Sequence, residues 1–306
     1  MQLSIVKSML LILLFGIPLF ITPALGGDIP PFAVAVGPVP VFNAPDLRAL
    51  FGGSDGRTLA VDRCGQLRAL EFVALPGTVF TILEKLPVGE ETVYRVTTAD
   101  YPYPAPNGFY IDGRLVSLQE TRPPERARLL PSRDEIVARL ERMAGRPYVW
   151  GGNIPEGMAE LLRLYPPTTP IGQVDRQRWQ LEGVDCSGLL YAATDGFTPR
   201  NTSSLVGYGS PVSVAGHSAQ GIASRLVPLD LIVWPGHVLV VLDRERVIES
   251  RLDCGHAERG VVVSPLAERL KGIMSTRRPV DRLSAVPGKT AREFVVRRWF
   301  SHSATK

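Results

Sequence analysis

The chain of 306 residues is 45% hydrophobic and 21% charged, with 29 glycines and 27 prolines, which is typical of a globular protein with one large or two modest domains. Its net charge of +4 suits an anionic environment, but the lysines and arginines are not clustered as they are in nucleic-acid-binding proteins. The sequence has no cysteine spacing of the zinc-binding kind and no phosphate-binding glycine loop. We therefore expect no metal, no organic cofactor and no nucleic-acid partner.

Residues 1–26 have the layout of a secretory signal peptide. Lys7 precedes an apolar run from Met9 to Ile21, and Ala24 and Gly26 are the small residues that a signal peptidase reads. The run is short for a membrane span, so cleavage is the expectation and an uncleaved anchor is the alternative. The mature chain would then be periplasmic or secreted, with no stable membrane span.

Residues 27–120 are predicted to form a proline-rich arm and then a small all-β barrel. Runs with alternating apolar residues, such as TVFTILEKL and TVYRVTTADY, are separated by glycine and proline turn signals, a pattern typical of such barrels. A linker rich in proline and arginine is predicted at 121–133.

The rest of the chain is predicted to mix helices and strands, which makes the fold class α+β. A helix capped by Ser132 or Asp134 opens a domain expected to span 134–285. Within it, a run of strands is predicted over 231–279. Residues 286–306 are predicted to be a basic C-terminal tail.

Three cysteines make an odd number, so at least one stays unpaired within an exported chain. Cys64 and Cys254 could form a bridge, which would leave Cys186 free. In the stretch VDCSGLL, Asp185 can cap a helix that begins with Cys186. The N–H groups and the dipole at a helix start favour the nucleophilic thiolate. A buried structural cysteine would have the same apolar followers, so this stretch alone leaves both interpretations open.

His237 is the candidate base, because it stands at the start of a strongly β-forming run in LDLIVWPGHVLVVLD. A cysteine and a histidine from separate elements are the usual pair in nucleophilic catalysis. The imidazole takes the proton of the thiol and later protonates the leaving amine. A core histidine with its hydrogen bonds satisfied is the alternative.

The order of these motifs resembles the NlpC/P60 family of papain-like cysteine peptidases, which cut cell-wall peptides. The matching stretches are YVWGG at 148–152, DCSG at 185–188, PRNT at 199–202 and GHV at 236–238. The resemblance implies a papain-like domain with Cys186 as the nucleophile and His237 as the base. It also implies that Tyr148 contributes to the substrate pocket.

The third catalytic position of the family is usually His, Asn or Gln, whereas this chain has Glu249 there. A carboxylate can orient an imidazole, and it stabilises the charged form of the ring. A three-residue loop at Asp243–Glu245 would place Glu249 and His237 on one face of a sheet, whereas a two-residue turn would separate them. The alternatives are that Glu249 is a solvated strand residue, or that His256 takes the third role.

The front domain resembles a bacterial SH3-like barrel. Ahead of an NlpC/P60 domain, such a barrel implies an enzyme that cuts γ-D-glutamyl–diamino acid bonds in peptidoglycan stem peptides with a free N-terminal L-alanine. Asp185 and Ser187 match family positions that contact the ammonium of that alanine, and Thr202 falls where the family pattern has Ser or Thr. The barrel is expected to supply another acidic group, for which Glu71 is a candidate.

The stretch 154–182 is much longer than the link that the family usually has there. It could form a wall of the cleft with Trp179 and Arg176 or Arg178 near the substrate. The simpler expectation is a surface excursion, because loops tolerate insertions.

The sequence thus predicts an exported cysteine endopeptidase acting on peptidoglycan stem peptides, namely murein tripeptides or tetrapeptides. One alternative is a murein-binding module whose catalytic triad is degraded at Glu249. Another is an amidase or acyltransferase acting on a non-murein amide, because the fold and the dyad do not fix the substrate.

Overall fold

The computed structural model of the protein describes residues 30–300, apart from 54, 89, 90, 253, 255–259, 286, 287 and 289. The predicted signal peptide, His256 and the last six residues lie outside this part of the chain. Among the described residues, no helix combines the length and the apolar character that crossing a membrane requires.

The front unit is an antiparallel sheet of seven strands that contains most of the predicted ones. Its strand order is β3-β2-β6-β5-β4-β1-β7. Its elements are β1 (Phe32–Ala35), β2 (Val39–Phe42), α1 (Leu47–Leu50), β3 (Leu70–Ala74), β4 (Val79–Val88), β5 (Glu91–Thr97), β6 (Phe109–Asp112) and β7 (Val116–Gln119). These pairings give an open order of strands, so closure into an SH3-like barrel stays a prediction.

The proline-rich stretch predicted as an arm is instead part of the front sheet. β1 lies between β4 and β7, and β2 lies between β3 and β6. The prolines are compatible with pairing because Pro38 precedes β2 and only Pro40 lies within a strand. Buried residues of both strands, such as Ala33 and Val41, join the front core.

The expectation of a surface excursion at 154–182 is wrong, because this stretch completes the front core. Leu161, Leu164, Tyr165 and Trp179 are buried and pack in one cluster with side chains of the front sheet. The indole N–H of Trp179 donates to the Tyr165 carbonyl at 2.9 Å. Apolar residues at helical spacing therefore anchor the insertion, and Trp179 does not line a substrate cleft.

The chain after the front sheet forms a mixed helix and sheet structure, the second unit, apart from the two helices within 154–182 that pack in the front core. In chain order the elements are α2 (Arg133–Arg142), β8 (Asn153–Ile154), α3 (Glu160–Leu164), α4 (Gln173–Trp179), β9 (Gly183–Val184), α5 (Cys186–Ala193), α6 (Thr202–Leu205), β10 (Ser210–Val212), α7 (Ala219–Ala223), β11 (Leu231–Trp234), β12 (His237–Val241), β13 (Arg246–Arg251), β14 (Gly260–Pro265), α8 (Leu266–Met274), β15 (Arg278–Pro279) and β16 (Glu293–Arg298). The predicted helix at 132–145 is confirmed as α2, with Ser132 as its cap.

The main sheet of this unit has the strand order β10-β16-β11-β12-β13-β14 and carries helices on both faces. Side chains of α2 and α5 pack on one face, and side chains of α7 and α8 pack on the other. Because both faces are covered, strands such as β11 (LIVW) are buried along their whole length. The helix α8 interrupts the run of strands that was predicted over 231–279.

The predicted basic tail at 286–306 is wrong in its central part, because 293–298 forms the strand β16. This strand lies between β10 and β11, and Phe294, Val295 and Val296 are buried. Arg297 and Arg298 at its end give the segment its basic character. Arg298 forms an ion pair with Asp230 at 2.7 Å, so this charge also serves the fold.

A disulfide joins Cys64 of the front unit to Cys254 of the second unit, as the count of cysteines allowed. The bridge closes a loop of 190 residues, which restricts the unfolded chain strongly. We expect the Cys64→Ser/Cys254→Ser variant to lose about 2–5 kcal/mol of unfolding free energy, measured by urea titration. Reduced wild type serves as the control and should match the variant; an unchanged urea midpoint in both would contradict the prediction.

Candidate active site

Cys186 is the first residue of α5 and the free cysteine among the described residues. Asp185 caps this helix, as predicted, by accepting a hydrogen bond from the Gly188 N–H. As the first helical residue, Cys186 has an N–H with no acceptor inside the helix, and that N–H points toward the helix start. The sulfur is buried and lies 3.9 Å from the Gly236 carbonyl oxygen. The helix start therefore presents a thiol beside the turn that precedes His237.

A tight turn at Pro235 and Gly236 places His237. Trp234 and His237 pair as the last and first residues of β11 and β12, and Gly236 has a φ of +100°. Proline followed by a residue with positive φ is the arrangement of a type II turn. Thr202 holds this turn, because its hydroxyl accepts a hydrogen bond from the Gly236 N–H at 3.0 Å. Thr202 thus supports the turn that leads into His237, and contact of Thr202 with a substrate stays a prediction.

Glu249 lies next to the imidazole of His237. β12 and β13 pair Val240 with Ile248 and Val241 with Val247. The loop between the strands is therefore the three-residue loop at Asp243–Glu245, which places Glu249 and His237 on one face of the sheet. The His237 Nε2 and the Glu249 Oε2 are 2.7 Å apart. The Glu249 side chain is only 1% exposed, which excludes a solvated strand residue.

The charges in this group reinforce one another. Burial works against a charged imidazole, but hydrogen bonds with Cys186 and Glu249 raise the pKa of His237 to about 9. Burial would also raise the pKa of Glu249, but hydrogen bonds from His237 and Arg269 lower it to about 2. The arrangement therefore favours a protonated His237 ring between the Cys186 sulfur and the ionised Glu249 carboxylate. Because Nε2 contacts Glu249, Nδ1 is the nitrogen left to exchange a proton with the sulfur.

The raised pKa of His237 predicts a pH dependence of stability. Its folded-state pKa of about 9 exceeds its ordinary value of 6.5, so protonation stabilises the folded state. This contribution is fully present below about pH 6.5 and is lost as the pH rises through 9. We expect His237→Gln to remove a pH-dependent stabilisation on the order of 2 kcal/mol. Urea titrations of both proteins at pH 6 and pH 10 measure it, and parallel curves would contradict it.

Asp185 is the centre of a buried polar cluster at the start of α5. Its carboxylate accepts hydrogen bonds from the Arg200 guanidinium at 2.9 and 2.7 Å, from the Ser187 hydroxyl at 3.2 Å and from the N–H groups of Gly151 and Gly188. Five donors satisfy both oxygens. The cluster therefore fixes the start of the helix, and contact of Asp185 or Ser187 with a substrate ammonium stays a prediction.

Asn153 and Arg200 connect this cluster to the front sheet. The Asn153 side chain exchanges two hydrogen bonds with the backbone of Val73 in β3, at 3.0 and 2.9 Å. The same Oδ1 accepts from Arg200 Nε at 3.2 Å. The edge strand β3 of the front unit is thus held directly against the second unit.

The hydrogen bonds between Asn153 and Val73 bring Glu71, which lies on the same strand β3, toward the second unit. Glu71 accepts hydrogen bonds from Asn43 at 2.7 Å and from the Tyr101 hydroxyl at 3.2 Å. The Tyr101 hydroxyl also lies 3.3 Å from the Asn201 Oδ1, in the PRNT stretch. Glu71 is half-buried, so it offers a carboxylate with few donors at the junction of the two units.

Tyr148 is half-buried near the start of the catalytic helix. Burial, together with the negative charges of Asp185 and Cys186, raises the pKa of Tyr148 above its usual value. Its phenol therefore stays protonated and can donate a hydrogen bond. The ring also lines a cavity of about 250 Å³ between the 59–67 loop and α4.

Sequence reasoning missed Arg200, Asn153 and Arg269 as residues of the site. Arg200 stands inside the PRNT stretch and Asn153 directly follows the YVWGG stretch, so both lie at matched motifs, but their roles were not predicted. Arg269 lies 20 residues beyond Glu249 on a helix that was not predicted, and no local signal marks it. Among the described residues, no group of three or more His, Cys, Asp or Glu side chains could hold a metal ion.

No protein-family model matches this chain, and no curated protein sequence matches it. Solved structures do resemble it: an NlpC/P60 family protein from Bacillus cereus is 17% identical with a TM-score of 0.32, over 88% of this chain and 63% of that one. NlpC2 and NlpC1 from Trichomonas vaginalis are each 12% identical over 88% of this chain, with TM-scores of 0.31 and 0.32, over 72% and 69% of those chains. The chain therefore spans less than two thirds of the length of the Bacillus protein. Similarities at this level establish neither activity nor substrate for this chain.

Proposed function

We propose that this protein is a cysteine peptidase of the NlpC/P60 type that hydrolyses the γ-D-glutamyl–diamino acid bond of peptidoglycan stem peptides. The observation that carries the proposal is the convergence of Cys186, at the start of α5, with His237, whose ring contacts the buried Glu249 at 2.7 Å. A nucleophile, a base and an orienting group in this order are what acyl transfer requires.

The proposed reaction has two steps. The Cys186 thiolate attacks the amide carbonyl carbon, and the N–H of Cys186 stabilises the oxyanion that forms. The His237 imidazolium gives its Nδ1 proton to the leaving amine, and the C–N bond breaks to leave a thioester. Neutral His237 then takes a proton from water, whose oxygen attacks the thioester, and the Cys186 sulfur leaves as the thiolate.

Glu71 supports the choice of a substrate with a free amine. A half-buried carboxylate beside Tyr101, at the junction with the PRNT stretch, suits a bound ammonium. The carboxylate of Asp185 is already paired with the Arg200 guanidinium, whereas that of Glu71 accepts from the neutral donors Asn43 and Tyr101. We therefore propose Glu71 as the acidic partner from the front unit.

The test uses the tripeptide L-Ala-γ-D-Glu-diamino acid and its N-acetylated form, with products identified by mass spectrometry. We expect L-Ala-γ-D-Glu and the free diamino acid from the first peptide, with kcat/KM reduced at least about tenfold for the second. Glu71→Gln should lower kcat/KM about tenfold for the free amine and leave the N-acetylated peptide unaffected. Glu84→Gln, at an exposed ion pair of the front sheet, is the matched control.

Two outcomes would contradict the proposal. Murein binding without product would favour the binding module. Cleavage of a non-murein amide with no cleavage of either tripeptide would favour the other hydrolase or transferase. The intact geometry of the Cys186, His237 and Glu249 group argues against the degraded module.

We further propose that the protein is exported and acts in the cell envelope. The signal-like residues 1–26 support this, and the disulfide between Cys64 and Cys254 is typical of an oxidising compartment. N-terminal sequencing of the protein recovered from the envelope or medium should begin near Gly27; a cytosolic, uncleaved chain would contradict export.

A further inference from the structure

Glu249 is a fully buried carboxylate, and its surroundings must supply a compensating charge. It lies within β13. Among the residues that the structure describes, the charged or titratable groups that face it are His237 from β12, Arg269 from α8 and Arg251 from its own strand. An ionised carboxylate without a partner in such a place would cost several kcal/mol. The identity of the partner therefore matters for how the site works.

His237 cannot be a permanent partner for this carboxylate. In the proposed reaction its ring gives up a proton and takes one back, so its charge is absent during part of each turnover. A carboxylate paired with the ring alone would be uncompensated in that interval. It would then either take up a proton or hold the imidazolium too tightly.

Arg269 has the geometry of a permanent partner. Its Nε lies 2.5 Å from Oε1 of Glu249, and its Nη2 lies 2.9 Å from Oε2. A guanidinium is charged at every accessible pH, and this two-pronged contact fixes the plane of the carboxylate. Oε2 is also the oxygen that contacts the His237 ring. By contrast, Arg251 Nη1 lies 3.9 Å from Oε1, which is beyond hydrogen-bond distance.

We propose that Arg269 is a positioning residue of the catalytic site, which locks Glu249 Oε2 toward the His237 ring and keeps that carboxylate ionised in both charge states of the imidazole. The proposal rests on the proposed function, because it assigns Arg269 a task within that reaction. It also explains how a glutamate can occupy a position where the family usually has a neutral side chain. The guanidinium cancels part of the negative field, so the imidazolium can still release its proton to the leaving amine.

The test measures alkylation of Cys186 by iodoacetate as a function of pH, which needs no murein substrate. The anionic reagent is attracted by the imidazolium, so the rate falls when His237 loses its proton, and this fall defines an alkaline limb. We expect Arg269→Gln to move that limb upward by about one pH unit, because the carboxylate then stabilises the imidazolium more strongly. In a Glu249→Gln background, the same arginine substitution should leave the limb in place.

Arg269→Lys separates the charge of Arg269 from its two-pronged geometry. We expect the limb to stay near its wild-type pH and the rate at the optimum to fall about tenfold, because the carboxylate is less firmly oriented. Arg246→Gln is the control, because it removes an exposed arginine at the start of β13, the strand that carries Glu249. It should leave the dependence of the alkylation rate on pH unchanged.

Three outcomes would overturn the proposal. One is an Arg269→Gln limb that coincides with wild type, even if the melting temperature falls, because the arginine would then be structural only. Another is an equal limb shift in the Glu249→Gln background, because Arg269 would then act by another route. The third is an Arg269→Lys profile that equals wild type at every pH, and this result decides the question if Arg269→Gln does not fold. Failure to cleave murein peptides would instead contradict the proposed function, and the alkylation results could still be interpreted because they need no murein substrate.

Discussion

Replacement of Cys186 with alanine will abolish release of the diamino acid from stem peptides, with a loss of at least about 10³-fold in kcat. The reason is that, in the proposed reaction, the Cys186 sulfur forms the bond to the carbonyl carbon. Cys186→Ser will be similarly inactive, because an alcohol loses its proton far less readily than a thiol beside the same imidazole. Product release is measured by mass spectrometry of the digested tripeptide.

Folding and labelling controls make this result interpretable. Cys186→Ala should keep the urea midpoint of the wild type within about 1 kcal/mol, since it removes one buried sulfur. Iodoacetamide should label wild type at Cys186, because the other two cysteines are joined in a disulfide. Turnover by the alanine variant at the wild-type rate would refute Cys186 as the nucleophile.

Replacement of Arg200 with methionine will destabilise the protein by about 3–5 kcal/mol. The Arg200 side chain is 2% exposed and forms an ion pair with Asp185 at 2.7 Å. Burial disfavours the charge, but Asp185 raises the pKa of Arg200, so the guanidinium stays charged. Methionine keeps the volume but leaves the carboxylate of Asp185 without its counter-charge. Urea titration measures the loss.

Two further variants separate the charge from the packing. Asp185→Asn/Arg200→Met should recover part of the lost stability, because asparagine needs no counter-charge and can still cap the helix. The matched control is Arg163→Met, because the Arg163 side chain also forms an ion pair but is 72% exposed. This substitution should cost about 0.2–1 kcal/mol of unfolding free energy. If Arg200→Met proved as stable as Arg163→Met, the buried cluster of Asp185 and Arg200 would not be what fixes the start of α5.

Local sequence patterns were sufficient where the physics is local. The cap at Asp185 and the helix after it follow from residues within a few positions of one another. The sequence left two loop lengths open before Glu249, and the register of the two strands decided for three residues. The count of three cysteines required at least one unpaired cysteine and allowed the Cys64–Cys254 bridge, which the structure then showed. Short-range hydrogen bonds fix where a helix begins, and the two-residue period of a strand fixes which of its side chains share a face, before any long-range contact forms.

Patterns were misleading where a segment gains its stability from distant partners. Arginines near the C-terminus suggested a solvated tail, but Phe294, Val295 and Val296 between them fill the centre of a sheet. The insertion at 154–182 looked like a loop, but Trp179 and its apolar neighbours bury themselves in the front core. Both outcomes depend on a surface that the local sequence does not describe.

The sequence by itself marked Cys186, His237 and Glu249 as candidates for the nucleophile, the base and the third catalytic position, because each of these stands in or beside a motif with its own short-range geometry. Only the tertiary structure decided what surrounds them: Arg200 against Asp185 at the start of α5, Arg269 against Glu249, and Glu71 linked through Tyr101 to Asn201 of the other unit. The reason is physical. A buried charge is tolerated only when an opposite charge or sufficient donors lie within a few ångströms, and the chain supplies them from elements 15, 20 and more residues away.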